Sequence, residues 1–232
     1  MQILQNIKEA LLHLAFPHVC AGCGNDVLPK DHLLCLHCLE ALPQTLFHLH
    51  SDNPIEKAFT GRLPLLHATA QYYFTKESLL QHLLHRAKYK GDRELCIYLG
   101  TLMGGQLAQS NWIQSIDALV PLPLFAEREK ARGYNQSYLL CKGISEVINK
   151  PVLPNVVIRS SATESQTRKN RVQRWQNMEG RFALTSSETE GKHLLLVDDV
   201  MTTGATLEAC GRTLLQVPGT NLSIATLCFS VS

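Results

Sequence analysis

The sequence has no apolar run long enough to span a bilayer, which argues against a transmembrane helix. Residues 1–16 place apolar side chains at helical spacing, but Lys8, Glu9 and His13 interrupt them. This stretch therefore lacks the apolar core of a secretory signal peptide. The net charge is only +2, so no global field attracts nucleic acid or a membrane surface. We expect a cytoplasmic protein that begins with a short amphipathic helix.

The sequence also lacks internal repeats and low-complexity tracts, which argues against a solenoid or a linker-dominated protein. Its 232 residues suffice for one sizeable domain and a small appendage. Strands are predicted within 65–74 and at 118–120, 156–159, 194–198 and 222–229, and helices at 78–88, 94–109, 133–148 and 207–216. Because strands alternate with helices, we predict an α/β fold with a mostly parallel sheet flanked by helices.

Four of the eight cysteines form two CxxC pairs near the N-terminus: Cys20, Cys23, Cys35 and Cys38. Each pair places two thiolates on one tight turn, and two pairs supply the four sulfurs of a tetrahedral zinc site. Disulfides are the main alternative, and they fit a cytosolic chain poorly. So short a segment cannot build its own core, so we expect zinc in a structural role. We predict a zinc-binding region over residues 1–50 and a second domain over residues 51–232. The other four cysteines are scattered among apolar residues and are expected to be small buried side chains.

Residues 194–206 carry the most informative pattern of the chain, LLLVDDVMTTGAT. Four apolar residues predict a buried strand, and the carboxylates of Asp198 and Asp199 follow at its carboxyl end. A loop of Thr and Gly then leads into a helix, so backbone N–H groups and the positive end of the helix dipole face one point. Gly204 lets the backbone approach closely, and the threonine hydroxyls add donors. The segment therefore predicts a phosphate site beside two carboxylates.

This pattern resembles the loop of type I phosphoribosyltransferases, which bind 5-phosphoribosyl-1-pyrophosphate (PRPP). The resemblance implies that Asp198 and Asp199 hold the ribose hydroxyls, and that the loop that follows them holds the 5-phosphate. The loop residues it assigns to PRPP binding are Val200, Thr202, Thr203, Gly204, Ala205 and Thr206. The alternative is an ordinary acidic turn between a parallel strand and a helix, as in response regulators.

Two further segments concentrate basic side chains. Residues 127–136 contain Arg128, Lys130 and Arg132, which could face a pyrophosphate, with Gly133 opening the next helix. The alternative there is a solvated helix start of mixed charge. Residues 159–181 contain six basic residues and Trp175. This segment could be a loop that covers a bound substrate, or it could contact a nucleic-acid backbone. The third alternative is an ordinary exposed segment.

Taken together, the segments resemble the ComF (competence protein F) family over nearly the whole chain. The resemblance rests on the four-cysteine pattern, KYKG at 88–91, RGYNQ at 132–136, the Thr163–Gln166–Arg174–Asn177 segment and VDDVMTTGAT at 197–206. It implies Mg²⁺-dependent transfer of a phosphoribosyl group from PRPP to an unidentified acceptor. Beside the loop residues above, the implied site includes Arg128, Arg132 and Gln166 for PRPP binding, and Asp198, Asp199, Arg171 and Arg174 for catalysis. The alternative is a non-catalytic DNA-uptake accessory protein that binds single-stranded DNA or partner proteins.

Overall fold

The computed structural model describes residues 18–26, 28, 32–89, 91–159 and 182–230. Its helices are α1 (Leu36–Glu40), α2 (Pro54–Phe59), α3 (Leu79–Tyr89), α4 (Arg93–Leu107), α5 (Ala126–Arg132), α6 (Gln136–Ile148) and α7 (Ala205–Leu214). Its strands are β1 (Ala68–Phe74), β2 (Ala118–Pro121), β3 (Val157–Arg159), β4 (Phe182–Leu184), β5 (His193–Met201) and β6 (Asn221–Ser230). No helix among these residues combines the length and hydropathy needed to cross a bilayer. The helix predicted over residues 1–16 lies outside the described residues.

Four strands form one sheet in the order β1-β6-β5-β2, and every neighbouring pair is parallel. Val197 of β5 lies beside Pro121 of β2 on one side and Ala225 of β6 on the other. The carboxyl ends of β2 and β5 therefore reach the same edge of the sheet. The predicted α/β fold with a parallel sheet flanked by helices is confirmed.

Strand β3 does not join this sheet, although the alternating pattern grouped it with the parallel strands. It pairs antiparallel with β4 in a separate two-stranded ribbon. The segment just before β3 covers the outer edge of β2. There the Leu119 N–H donates to the Pro151 carbonyl, and the Leu153 N–H donates to the Leu119 carbonyl. Pro154 comes next and has no N–H to continue the pairing, so the chain leaves the sheet before β3 begins.

Both faces of the sheet are buried, which explains the continuous apolar run of β5. Leu195 and Val197 point into a core shared with α3, α4 and α6, whereas Leu194 and Leu196 point into a core shared with α2 and α7. Successive side chains of a strand alternate between its faces, so a doubly covered strand needs apolar residues throughout. Asp198 and Asp199 interrupt the apolar run, and Val200 and Met201 after them pack against the two cores again.

The four-cysteine region packs against the first of these cores. Cys20, Cys38 and Leu42 belong to the same buried cluster as residues of α3 and α4. The guanidinium of Arg86, on α3, donates from Nη1 to the carbonyl oxygen of Ala21 over 3.0 Å. The segment is thus attached to the rest of the molecule by both apolar packing and a hydrogen bond. The predicted boundary at residue 50 stays a prediction.

Helices α4 and α6 cross at very short range because two glycines meet there. A Cβ added to Gly143 would lie 2.5 Å from the backbone nitrogen of Thr101 and closer still to the carbonyl oxygen of Ile97. A Cβ added to Gly100 would lie 2.9 Å from the Cα of Leu140. Only glycine permits this approach of the two helices.

The helix predicted over residues 133–148 begins three residues later, as α6, and a separate helix, α5, precedes it. Gly133 adopts a left-handed conformation with φ of +79° and ends α5, so the prediction that it opens the next helix is wrong. Glycine suits this position because a residue with a Cβ is strained at positive φ. The Asn135 side chain then accepts a hydrogen bond from the backbone nitrogen of Ser137 over 2.9 Å and begins α6.

Candidate functional site

A cleft of about 190 Å³ opens at the carboxyl ends of β2 and β5. In an open parallel sheet this edge is where ligands bind. The lining consists of Lys88, Leu122, Leu124, Arg128, Arg132, Gln136, Ser137, Arg159 and residues 198–207. The cleft therefore gathers residues from α3, α5, α6, β3, β5 and α7, and it brings the predicted loop, both aspartates and two of the predicted arginines together.

The loop after β5 forms one wall of the cleft and ends at the N-terminus of α7. Gly204 is the residue before the first helical turn and has a φ of +73°. An added Cβ there would lie 2.8 Å from Cζ of Phe59, so both the conformation and the packing require glycine. The first N–H groups of a helix have no partner within it, and they carry the positive end of the helix dipole. This wall of the cleft therefore suits an anion.

The loop is held from its outer side by Arg62, a residue that the sequence did not indicate. Its guanidinium donates from Nη1 to the carbonyl oxygen of Thr203 over 3.1 Å and from Nε to the Glu208 carboxylate over 2.9 Å. Arg212 donates to the other oxygen of Glu208 over 3.0 Å. Since Arg62 is remote from the loop in sequence and has no motif around it, only the fold reveals this contact.

The two aspartates differ in their surroundings. Oδ1 of Asp198 accepts hydrogen bonds from Oγ of Ser137 over 2.9 Å and from the backbone nitrogen of Asp199 over 2.8 Å. Burial, together with the neighbouring Asp199 carboxylate, raises the pKa of Asp198 to about 7. Asp199 instead forms an ion pair with Lys88, whose Nζ lies 2.7 Å from Oδ2. One carboxylate is therefore held by a hydroxyl and a peptide N–H, and the other by a cation.

Two further residues of the cleft lie in motifs that were noted without any role in the site. Lys88 occupies the last turn of α3, in the KYKG segment, and Gln136 begins α6, in the RGYNQ segment. Gln136 is only 3% exposed, and its Oε1 accepts a hydrogen bond from Nη1 of Arg132 over 2.8 Å. Its Nε2 is buried and has no hydrogen-bond partner in the part of the chain that the structure describes. This amide is therefore a donor available to a ligand.

The basic side chains give the cleft a positive character. Arg128 and Arg132 both line it, whereas Lys130, in the same segment, is absent from the lining. The guanidinium of Arg159 lies 3.9 Å from the ring centroid of Phe125, which fixes it at the mouth of the cleft. Four cationic side chains thus face two carboxylates. Such a balance favours a ligand with several negative charges.

The remaining predicted residues of the site are Gln166, Arg171 and Arg174, and they lie outside the described residues. The same holds for Thr163, Trp175 and Asn177 in that segment. Strands β3 and β4 flank the segment, and β3 ends at Arg159 in the lining of the cleft. The roles given to these residues therefore stay predictions.

The four N-terminal cysteines converge in space, with all four sulfur atoms within 4.8 Å of one another. The sulfurs of Cys23 and Cys35 are 3.6 Å apart. A tetrahedral ion with bonds of about 2.3 Å to sulfur needs sulfurs roughly 3.8 Å apart, so the cluster fits such an ion. Burial disfavours the thiolate of Cys20, but N–H groups of Cys23, Cys35 and Gly22 lower its pKa to about 6. The arrangement thus favours a thiolate there.

The other cysteines are Cys96, Cys141, Cys210 and Cys228, and all four are buried and free. Cys141 is fully buried, and burial raises its pKa well above the usual value for a thiol. The prediction that the scattered cysteines are small buried side chains is confirmed.

Comparison with known proteins adds family relationships to this geometry. The family model "Phosphoribosyl transferase domain" matches residues 137–231. The chain is 29% identical to competence protein F of Haemophilus influenzae over 89% of this chain and 88% of that protein. It is 29% identical to the DNA utilization protein YhgH of Escherichia coli K12, covering 93% of this chain and 92% of that one. Among solved structures, a Bacillus subtilis glutamine PRPP amidotransferase with ADP and GMP aligns at 16% identity and a TM-score of 0.42, over 57% of this chain and 26% of that one.

Proposed function

The chain belongs to the ComF/YhgH family of proteins with a phosphoribosyltransferase domain, and from this premise we propose that it binds PRPP and transfers its phosphoribosyl group to an acceptor. The observation that carries the proposal is the cleft at the end of β5. There, paired carboxylates, a glycine-containing loop and the N-terminus of α7 face the same space, together with four basic side chains. This combination matches a sugar that carries a phosphate at one end and a pyrophosphate at the other.

The parts of PRPP find matching chemistry along the cleft. The 5-phosphate would accept hydrogen bonds from N–H groups of residues 202–206, where the dipole of α7 favours negative charge. The ribose hydroxyls would donate to the carboxylates of Asp198 and Asp199. The pyrophosphate would meet Arg128 and Arg132, whose guanidinium groups suit phosphate oxygens. Each assignment follows from the charge and the donors of the residues that line the cleft.

The proposed transfer requires that the protein position the two reactants, and it does not require a nucleophile from the protein. As the bond from C1 to the pyrophosphate oxygen breaks, positive charge develops at C1 and negative charge on the leaving group, while the acceptor supplies the electron pair for the new bond. The two carboxylates stabilise the first charge and the arginines stabilise the second. Mg²⁺ would supply further charge neutralisation on the pyrophosphate, and the hard carboxylate oxygens of Asp198 and Asp199 suit its presence in the site. Gln166, Arg171 and Arg174 would cover the substrate and exclude water.

We assign zinc to the four-cysteine cluster, in a structural role. Four sulfurs leave no open coordination position, so a catalytic role does not fit. The metal would hold together a region in which α1 has only five residues and which lacks a core of its own. None of the eight cysteines, all of which lie within the described residues, forms a disulfide, which supports our proposal of a cytoplasmic location.

A thermal-shift experiment tests PRPP binding. A ligand present at 100 times its Kd stabilises the native state by about 2.7 kcal/mol, which for a chain of this size raises the Tm by roughly 5–11 °C. Replacing Asp198→Asn together with Asp199→Asn should remove most of the shift with Mg²⁺ and PRPP, because amides lose the charge while keeping the size. The matched control is Glu146→Gln with Glu190→Gln, two exposed acids outside the cleft. An equal shift in the aspartate variant would refute the assignment, and release of pyrophosphate on adding acceptors would measure turnover.

The second candidate function is that of an accessory protein in DNA uptake. It is favoured by the names of two relatives, a competence protein and a DNA utilization protein, each matched over most of its length. In this case the basic segment at 159–181 would contact single-stranded DNA. Binding of a labelled oligonucleotide across a salt series would test it, since phosphate contacts give affinity a steep salt dependence. Strong, salt-dependent binding without PRPP binding would favour this function over the first.

A further inference from the structure

Lys88 forms an ion pair with one of the two carboxylates that line the cleft. Its ammonium lies 2.7 Å from Oδ2 of Asp199, and the two side chains are 23% and 16% exposed. The pair stands at the lining of the cleft, where an incoming ion meets it. A metal ion that approached the carboxylates would have to displace this ammonium first.

The surroundings of the pair also oppose a free cation. Arg128, Arg132 and Arg159 line the same cleft as Lys88, so four cationic side chains surround two carboxylates. Oδ1 of Asp198 already accepts two hydrogen bonds, which leaves it less able to coordinate a metal. Like charges placed side by side disfavour binding strongly, so the empty cleft resists a divalent ion that arrives alone.

An anionic ligand reverses this balance. Phosphate groups bring negative charge and oxygen ligands of their own, and they offer Lys88 a partner other than Asp199. The buried Nε2 of Gln136, which has no partner among the described residues, is a second donor for a ligand oxygen at the same place. Gln136 and Lys88 also line a small cavity behind Asp199, so they are neighbours. Both point to a ligand rich in oxygen atoms.

We propose that Lys88 makes binding ordered: the free protein excludes divalent cations from the Asp198–Asp199 carboxylates, and admits them only together with a phosphate-bearing ligand. The identification of that ligand as PRPP rests on the proposed function. The exclusion itself does not, since it concerns the empty cleft. Lys88 is thus a positioning residue: its ammonium group pairs with the Asp199 carboxylate until the ligand binds.

The test is a titration with Mn²⁺, whose free concentration is followed by its paramagnetic resonance signal. The native protein alone should bind Mn²⁺ weakly, and inorganic pyrophosphate or PRPP should raise the affinity about tenfold or more. Lys88→Met should bind Mn²⁺ alone roughly tenfold more tightly, because the competing charge is gone. Lys88→Arg should restore the exclusion. The matched control, Lys142→Met, changes an exposed lysine outside the cleft and should behave as the native protein does.

The outcomes separate this inference from the proposed function. Equal Mn²⁺ affinity in Lys88→Met and the native protein overturns the inference, whether or not PRPP binds. Tight binding of Mn²⁺ to the native protein without any anion overturns it as well. Tighter Mn²⁺ binding in Lys88→Met, with no effect of PRPP on any variant, supports the exclusion and refutes PRPP as the ligand. A thermal scan of each variant shows that it is folded before the titration.

Discussion

The close crossing of α4 and α6 makes a sharp prediction about Gly143→Ala. An added methyl group would lie 2.5 Å from the backbone nitrogen of Thr101, where ordinary contact begins near 3.4 Å. The obstruction is backbone, which cannot rotate away as a side chain does, so the helices must separate by at least about 0.9 Å. Overpacking of this kind lowers the free energy of unfolding by about 1–3 kcal/mol or more. The better helix propensity of alanine raises it by up to about 1 kcal/mol.

The expected net loss is about 2 kcal/mol, which corresponds to a fall in Tm of roughly 4–8 °C for a chain of this length. Thermal unfolding followed by circular dichroism measures it. The matched control is Gly105→Ala in α4, where an added Cβ meets nothing within 4 Å. That variant should be up to about 1 kcal/mol more stable than the native protein, because only helix propensity changes. A Gly143→Ala protein as stable as the control would refute the argument from close approach.

The same substitution should weaken ligand binding. Ser137 stands one turn and a half before Gly143 on α6, and its Oγ donates to Asp198 over 2.9 Å. Separation of α6 from α4 shifts this hydroxyl relative to the carboxylate, since α6 contacts both α4 and β5. We expect the thermal shift with Mg²⁺ and PRPP to be smaller in Gly143→Ala and unchanged in Gly105→Ala.

Three other predictions concern the metal, the acid stability and the basic segment. The purified protein should carry about one zinc per chain by elemental analysis, and Cys35→Ser should lose it; full occupancy in that variant would show that the ligands are misassigned. Burial, and then the nearby His67, lower the pKa of His193, so its contribution to stability is present above the usual histidine pKa and is lost as the pH falls below it. The free energy of unfolding, measured in denaturant, should therefore fall for the native protein relative to His193→Gln between pH 7 and pH 5; an unchanged difference between the two would contradict this. Changing Arg171 and Arg174 to Ala should leave the Tm nearly unchanged and lower phosphoribosyl transfer far more than single-strand DNA affinity; normal transfer with lost DNA binding would reverse our order of the two functions.

The parts of the fold that depend on local pattern could be read from the sequence. The apolar run before Asp198 predicted a buried strand, and β5 is buried on both faces as such a run requires. The adjacent glycines at 104 and 105 have low helix propensity, yet the predicted helix is present and α4 runs through both. Gly104 faces Val147 across the helix crossing, where a Cβ would lie 2.8 Å from the valine Cβ, so packing outweighs the low helix propensity.

The parts that depend on distant contacts could not be read in this way. The motif after β5 indicated a phosphate loop, but nothing near it indicated that Arg62 holds the Thr203 carbonyl. Lys88 lies in the last turn of α3, where a basic residue is common because it interacts favourably with the helix dipole. Only the packing of α3 on the sheet places it against Asp199. Gly133 was assigned to the start of the helix predicted over residues 133–148, and the helix α5 that it ends was not predicted. Its positive φ, which decides the matter, is a property of the folded chain.

The hydrogen bonds that hold the loop after β5 have a consequence for how tightly a ligand can bind. Fixing the backbone of one residue costs about 1–2 kcal/mol of conformational entropy, so a loop that is ordered only by its ligand weakens binding accordingly. Here the guanidinium of Arg62 donates to the Thr203 carbonyl and also to the Glu208 carboxylate of α7. Arg212 donates to the same carboxylate and so helps to hold it in place. The loop's shape is therefore settled during folding. A ligand that enters this cleft meets a preorganised loop, and most of the free energy of its contacts with the loop remains available as affinity.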